Sequence, residues 1–371
     1  MVRKVVHIVY GFHIGGLEKL IVNCINQMGE AYQHTIISLT TVGDIVEQLE
    51  QDVTTMALNK SPGNSLKLYG EMYRLLTDLK PDVVHTYNLA TIEFQLVAAL
   101  ARVPVRIHAE HGRDTYDPYG KVKKYQYLRK LCALGIHRLV AVSDDLYRWL
   151  KNDVGIRPRQ LQLIRNGINT RYFSPTACHF SPTANHEPRQ RFTFGHVARL
   201  ESVKNQPLLI KAYQQACIES PDFAQQTQLI IVGDGDQRAH LEAMVAEGPL
   251  NAQIEFAGRQ TDMRSQYARF DAFVLTSIAE GIPLTLLESM SMALPHIVTT
   301  VGGISEVILP GETGCGIASN DQPALTRELL HFYHQQPAAI AMGQRARDHI
   351  EQHFSEKAMV SAYEAIYNAG S

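Results

Sequence analysis

The chain has 371 residues, 35 Lys and Arg against 37 Asp and Glu, and 45% hydrophobic residues. At roughly 100–200 residues per domain this length makes two domains, and a 19% charged fraction beside so much apolar residue excludes wholesale disorder. A formal net charge of −2 excludes a global pull toward nucleic acid or an acidic membrane and leaves only local patches to consider.

Residues 5–10 read as a buried strand, although His7 breaks the apolar run and Gly11 ends it. The run is too short for a spanning helix and lacks the small-residue cleavage site of a signal peptide, so secretion is not expected. Residues 11–16 form a turn. Leu17, Leu20, Ile21, Cys24, Ile25 and Met28 then recur at helical spacing. Strands are expected at 34–39, 82–85, 105–109 and 139–142, with a helix at 91–101. This alternation implies parallel strands with helices on both faces.

Between Asn169 and Arg191 the pattern stops in a polar stretch punctuated by Pro175, Pro182 and Pro188. Alternation resumes with strands at 192–197, 228–232, 254–256, 272–275 and 296–299 and helices at 207–217, 237–245 and 284–292. The expected organisation is therefore an N-terminal domain at 1–170, a linker at 171–190, a C-terminal domain at 191–350, and a final helix at 351–371. Cys24, Cys132, Cys178, Cys217 and Cys315 are odd in number and scattered without a CxxC. That pattern argues against a disulfide framework or zinc site and fits a reducing cytoplasm.

Parallel sheets of this kind bind ligands beyond the carboxyl ends of their strands, so the loops there carry the interest. The first runs from Gly11 through Gly15-Gly16 to Glu18. It is neither GxGxxG nor GxxxxGK[ST], so it reads either as an ordinary tight turn or as backbone amides offered to an anion at a helix N-terminus. The second is Glu280-Gly281-Ile282-Pro283-Leu284-Thr285-Leu286-Leu287-Glu288, where seven residues separate the glutamates. Placed on a loop and on the helix after it, they cannot form a tight dyad. They can present two acceptors along one extended ligand bearing sugar hydroxyls. The plain alternative is a helix-start acid plus a solvated helix face.

In order and spacing, Phe256 to Gly258, Glu280 to Glu288, Pro295, Gly302-Gly303, Glu306 and Gly314 resemble the GPGTF signature region of the family 4 retaining glycosyltransferases. The resemblance extends over the N-terminal glycine loop, Ala141-Val142-Ser143, Asn166-Gly167-Ile168-Asn169, Arg199 with Lys204, and Val232-Gly233-Asp234-Gly235. It thus spans nearly the whole chain. It implies an α/β GT-B fold, in which two Rossmann-like doubly wound parallel-sheet domains face each other across a cleft. It also implies that the last helix packs back on the N-terminal domain.

The implied activity is transfer of a sugar from a nucleotide-diphosphate donor to a hydroxyl of a saccharide or lipid-linked saccharide acceptor, in bacterial cell-surface polysaccharide synthesis. UDP donors are commonest in such enzymes, and a GDP-sugar is compatible. In the family, Arg199 and Lys204 grip the donor diphosphate, Glu288 takes the ribose, and Glu280 lies near the sugar ring. The amides of Gly15, Gly16, Gly281 and the segment Ile282, Pro283 and Leu284 face the donor, and Phe256 to Arg259, including Gly258, holds the base. His111 stands beside the reacting centre, and His108, three residues earlier, competes for that role.

Asp234-Gly235-Asp236 is formally a DxD metal signature, but at this place it reads as a turn and cap. With Arg199 and Lys204 supplying positive charge, neither metal nor other cofactor is expected. Ala293 departs from the family, which has glycine there. Lys121, Lys123, Lys124, Arg129 and Lys130, interleaved with Val122, Tyr125, Leu128 and Leu131, suit either a solvated helix or one lying on an anionic bilayer, which would make a cytoplasmic protein peripheral to the inner membrane. Two further readings are a nucleotide-sugar 2-epimerase, which would convert donor without acceptor, and a non-catalytic nucleotide-sugar sensor.

Overall fold

The computed structural model describes residues 2–61, 63, 66–114, 116–175, 191–248 and 253–369. In the first of two units the short β-branched runs form strands β1 (Arg3–Val9), β2 (Tyr32–Ser38), β3 (Thr54–Ala57), β4 (Val83–Tyr87), β5 (Val105–Glu110), β6 (Arg138–Ala141) and β7 (Leu161–Leu163). They lie in the order β3-β2-β1-β4-β5-β6-β7. Between them run helices α1 (Gly16–Met28), α2 (Leu66–Leu79), α3 (Phe94–Leu100), α4 (Lys123–Cys132) and α5 (Asp144–Trp149).

The second unit holds β8 (Phe192–Val197), β9 (Thr227–Val232), β10 (Ile254–Gly258), β11 (Ala272–Leu275), β12 (His296–Thr299) and β13 (Cys315–Ile317), in the order β10-β9-β8-β11-β12-β13. Its helices are α6 (Gln206–Glu219), α7 (Pro221–Gln226), α8 (Arg238–Ala246), α9 (Met263–Tyr267), α10 (Leu284–Ser291), α11 (Ile304–Val307), α12 (Gln322–His334) and α13 (Gln336–His353). Every pair of strands is parallel. Helices cover both faces, so β4 and β11 are buried at every residue; β11 reads in sequence as a continuous apolar run, whereas β4 carries His85 and Thr86 within its buried span.

The division falls between Asn166 and Gly167, short of the expected 170. The reason is that residues 167–173 are fastened inside the second unit. A Cβ on Gly167 would meet the Ser355 carbonyl oxygen at 2.5 Å, and Ile168 N–H donates to Phe354 O at 2.9 Å. Arg347 donates to the carbonyls of Phe173 and Ser291. The greater part of the expected linker, 176–190, lies outside the described residues.

The second crossing comes between Glu356 and Lys357 instead of at 350, because α13 packs on α10. The last helix, α14 (Glu356–Asn368), then covers one face of the first sheet. There His7 and His85 are register partners on β1 and β4, and His34 pairs with Val5 from β2. Tyr87 bonds both His7 Nδ1 at 2.8 Å and His85 Nδ1 at 2.9 Å, and Tyr367 of α14 reaches His85 Nδ1 at 2.8 Å. His34 Nδ1 and His7 Nε2 stand 3.0 Å apart.

Candidate functional site

Strand order reverses in the second sheet between β8 and β11, and a doubly wound sheet takes its ligand at the carboxyl ends of such a pair. β8 hands the chain to Ala198, Arg199 and Leu200, and β11 hands it to residues 276–280. The two loops are tied together: Ile278 N–H donates to Val203 O at 2.8 Å, and the Thr276 hydroxyl lies 3.1 Å from the carbonyl oxygens of both Lys204 and Asn205. This brings Lys204 to Glu280, Nζ to Oε1 at 2.5 Å, and the Ser277 hydroxyl donates to the same oxygen at 2.6 Å. Arg199 is largely exposed and pairs instead with Glu201 at 2.7 Å.

Glycines hold these loops in place. Gly233, at φ 136°, lies so close under the first loop that a Cβ would stand 1.9 Å from Ala198 O, and Leu200 N–H donates to Asp234 O at 3.0 Å. Gly302, at φ 53°, backs onto Glu280, where a Cβ would stand 2.0 Å from the carbonyl oxygen. A side chain at either place would displace the residue that the loop presents.

Glu288 is buried on α10, and its Oε2 accepts the Tyr267 hydroxyl at 2.6 Å. Burial, and then the Glu288 charge, push that hydroxyl well above its usual range. Gly281 and Ile282 are buried where α10 begins. Pro283 caps α10 but has no amide hydrogen, which removes it from the donors expected there and leaves Ile282 and Leu284. Gly258 ends β10 at φ 67° with its carbonyl accepting Gly233 N–H at 2.9 Å, and Arg259 beside it is exposed. Asp234 accepts from Gly235 N–H at 2.8 Å and faces Arg238 at 3.5 Å. Among the described residues no three His, Cys, Asp or Glu side chains gather as a metal centre.

In the first unit the glycine loop between β1 and α1 is braced on the 40–43 segment, with Phe12 N–H on Thr41 O and Gly43 N–H on Phe12 O. A Cβ on Gly15 would strike the Glu18 carboxylate at 2.4 Å, whereas one on Gly16 would meet nothing within 4 Å. Gly16 is therefore approachable from outside. His108 is closed into a network: Nδ1 to the Thr86 hydroxyl at 2.8 Å and Nε2 to Glu110 at 3.3 Å. Glu110 in turn takes Arg129 Nε at 2.6 Å, and Arg129 also reaches Asp114 and lies over the Trp149 ring. Burial alone would raise the Glu110 carboxyl, but Arg129 and His108 outweigh it and bring it down to about 2.

Arg129 thus leaves the basic face predicted for α4: it is buried because Glu110 and Asp114 lie within its reach. Lys121 precedes the helix, in a turn where the Asp117 carboxylate accepts its N–H at 2.9 Å. Lys121, Lys123 and Lys124 are all exposed. His111 differs from His108. Its Nε2 is buried without a hydrogen-bond partner, and burial lowers its pKa to about 4.

Two family models match the chain, Glycosyltransferase Family 4 over residues 14–172 and Glycosyl transferases group 1 over residues 180–349. The chain belongs to the GT-B glycosyltransferases. It is 24% identical to the putative glycosyltransferase EpsF of Bacillus subtilis over 100% of this chain and 95% of that one. It is 28% identical to an Escherichia coli UDP-Gal:α-D-GlcNAc-diphosphoundecaprenol α-1,3-galactosyltransferase over 75% and 73% of the two chains. The crystal structure of Anabaena HepE with UDP and glucose has the same fold, with a TM-score of 0.83 at 17% identity over 99% of this chain and 100% of that one.

Sequence reasoning missed three polar groups of the glycosyltransferase: Ser277 on Glu280, Tyr267 on Glu288, and Asn88, whose Oδ1 accepts His111 N–H at 2.8 Å. Ser277 follows the apolar run of β11 and reads as core, and Tyr267 ends a one-turn helix among Arg264, Gln266 and Arg269, with no pattern to single it out. Asn88 could have been singled out, as a polar residue directly after a buried strand.

Proposed function

We propose that this glycosyltransferase moves a sugar, with retention at the anomeric carbon, from a UDP-sugar to a hydroxyl of a saccharide or lipid-linked saccharide, in bacterial cell-surface polysaccharide synthesis. The observation that carries the reading is the Lys204–Glu280 pair at the sheet's switch point, with Arg199 on the same loop as Lys204. HepE in complex with UDP and glucose and the relative acting from UDP-Gal on a diphosphoundecaprenol saccharide support the donor and acceptor classes.

In this reading Arg199, Lys204 and the loop amides offset charge growing on the departing diphosphate, and no metal is required. Glu280 accepts from hydroxyls of the moving sugar and Glu288 from the ribose. His111 faces the acceptor hydroxyl. In this reading none of the described carboxylates serves as the nucleophile, so the acceptor attacks from the leaving-group face and its proton passes to the leaving phosphate. The C–O bond to phosphate breaks as the new glycosidic C–O bond forms. On the 121–134 surface, Lys121, Lys123 and Lys124 flank exposed Tyr127, Leu131 and Leu134, which suits peripheral contact of a cytoplasmic protein with an anionic bilayer. No described helix is long and apolar enough to cross one.

A thermal-shift panel of UDP- and GDP-sugars with and without EDTA tests the donor, since ligand at 100 times its Kd adds about 2.7 kcal/mol. A UDP-selective shift that survives EDTA and is lost in Arg199→Ala and Lys204→Ala is expected; a shift that needs added Mg²⁺ overturns the metal-free reading. The same donors with polyprenyl-diphosphate saccharides select a substrate pair, and NMR of the product reports the anomer. Conversion of donor without acceptor would favour the epimerase. Flotation with anionic vesicles should fall when Lys121, Lys123 and Lys124 are changed to Glu, and no change removes membrane contact.

A further inference from the structure

Asn88 directly follows β4, which with β1 forms the pair where the first sheet's order reverses, and its backbone stands at φ 57° and ψ 173°. Glycine is at home in that region; a residue with a Cβ persists there only when its surroundings over-determine it, and such residues cluster at functional sites. The surroundings of Asn88 do so. Its N–H donates to Ala109 O on β5 at 2.8 Å, and the Thr91 hydroxyl closes the turn by accepting Tyr87 N–H at 2.8 Å and donating to Tyr87 O at 2.7 Å. From this locked turn the side chain reaches across to the residue after β5, where Oδ1 accepts His111 N–H at 2.8 Å. Glycine would fit the backbone and lose only that bond, so the bond is what the strained asparagine supplies.

His111 is the residue whose direction this bond sets. Its ring lies 5.8 Å from that of Tyr87, and its Nε2 is buried without a hydrogen-bond partner. His34 and His85 also leave Nε2 unbonded, but both lie inside the sheet's covered face. His111 is half-buried and stands at the carboxyl edge, where doubly wound sheets meet their ligands.

We propose that Asn88 is a positioning residue for transfer: through the His111 amide it fixes the direction in which the imidazole Nε2 meets the acceptor hydroxyl. This rests on the role given to His111 above. The strained turn is retained because the side-chain oxygen has to come from this place, one residue beyond β4, to span the gap to the end of β5.

Asn88→Gly, Asn88→Asp and His111→Ala, compared with the natural chain, test it by melting temperature, by the thermal shift with UDP, and by steady-state transfer with the substrate pair that the panel selects. Asn88→Gly relieves the backbone and should melt at or above the natural temperature with an unchanged UDP shift, while kcat falls about tenfold or more because a catalytic group is misaimed, with donor KM held. Asn88→Asp keeps an oxygen acceptor for the same amide and should recover most of that kcat. Unchanged kcat in Asn88→Gly, or a loss of kcat that only tracks a lowered melting temperature and UDP shift, overturns the proposal. If His111→Ala abolishes transfer while Asn88→Gly does not, only the role of Asn88 fails. If His111→Ala transfers normally, the reading of His111 fails and this inference with it.

Discussion

Gly302 and Ala293 hold φ of 53° and 58°, and only the second carries a Cβ. An L-residue there is strained by its own Cβ, and glycine is not. Ala293→Gly should therefore stabilise the second unit by about 0.5–1 kcal/mol, the strain relieved less the added freedom of the unfolded chain. Gly302→Ala acts in the other direction. Its Cβ would stand 2.0 Å from Glu280 O, so either residue 302 or the Glu280 backbone must shift. A loss of about 2–3 kcal/mol is expected, with donor turnover reduced because the displaced residue bears the site's carboxylate. Urea titrations at constant slope read both changes, and a destabilised Ala293→Gly would contradict the account of that position.

The Tyr267 hydroxyl of α9 reaches α10 at two oxygens, the buried Glu288 Oε2 at 2.6 Å and the Thr285 carbonyl at 3.4 Å, and the shorter bond is the stronger. Tyr267→Phe leaves a buried carboxylate oxygen short of a donor, which costs about 1–3 kcal/mol. Because Glu288 is also assigned to the ribose, a weakening of UDP binding by about tenfold, or 1.4 kcal/mol, is expected beside it. Calorimetry and denaturation should both respond; a variant as stable as the parent would mean that the bond does not hold Glu288.

The strand-bearing parts of this region are legible from sequence because β11 is a continuous apolar run and β8 and β12 are short segments rich in aromatic and β-branched residues, and their observed limits coincide with the expected 192–197, 272–275 and 296–299. β3, β7 and β13 are not, since they are three or four residues long and half-exposed, which leaves no run to notice. The same limit governs the site. Glycine pairs and spaced charges announce themselves, but Tyr267 on Glu288 and Asn88 on His111 are contacts across 21 and 23 residues of chain. Arg129 shows the converse error: the other basic residues of its helix, Lys123, Lys124 and Lys130, are exposed, and only folding brings Glu110 within reach to draw Arg129 inside.

Both units bury histidines that are neutral when folded. In the first, burial holds His7 and His85 well below the ordinary value and His34 at about 4; in the second it holds His196 at about 4 and His296 at about 3. Unfolding releases each to its ordinary value near 6.5, so below that pH the unfolded chain binds more protons than the folded one. Stability is therefore complete above about pH 6.5 and is withdrawn as pH falls toward 4, each such histidine removing about 1.4 kcal/mol per pH unit. Glu110, held down to about 2, adds its own loss only below its ordinary value, after the histidines have begun to titrate. Melting temperatures should be level from pH 8 to 7 and fall steeply between 6.5 and 4, and because both units carry such histidines, separate transitions would move together. His34→Gln should make the fall shallower by about one proton's worth, 1.4 kcal/mol per pH unit, in the first unit. A melting temperature constant from pH 7 to 4.5 would mean that these rings are solvated or already charged in the fold.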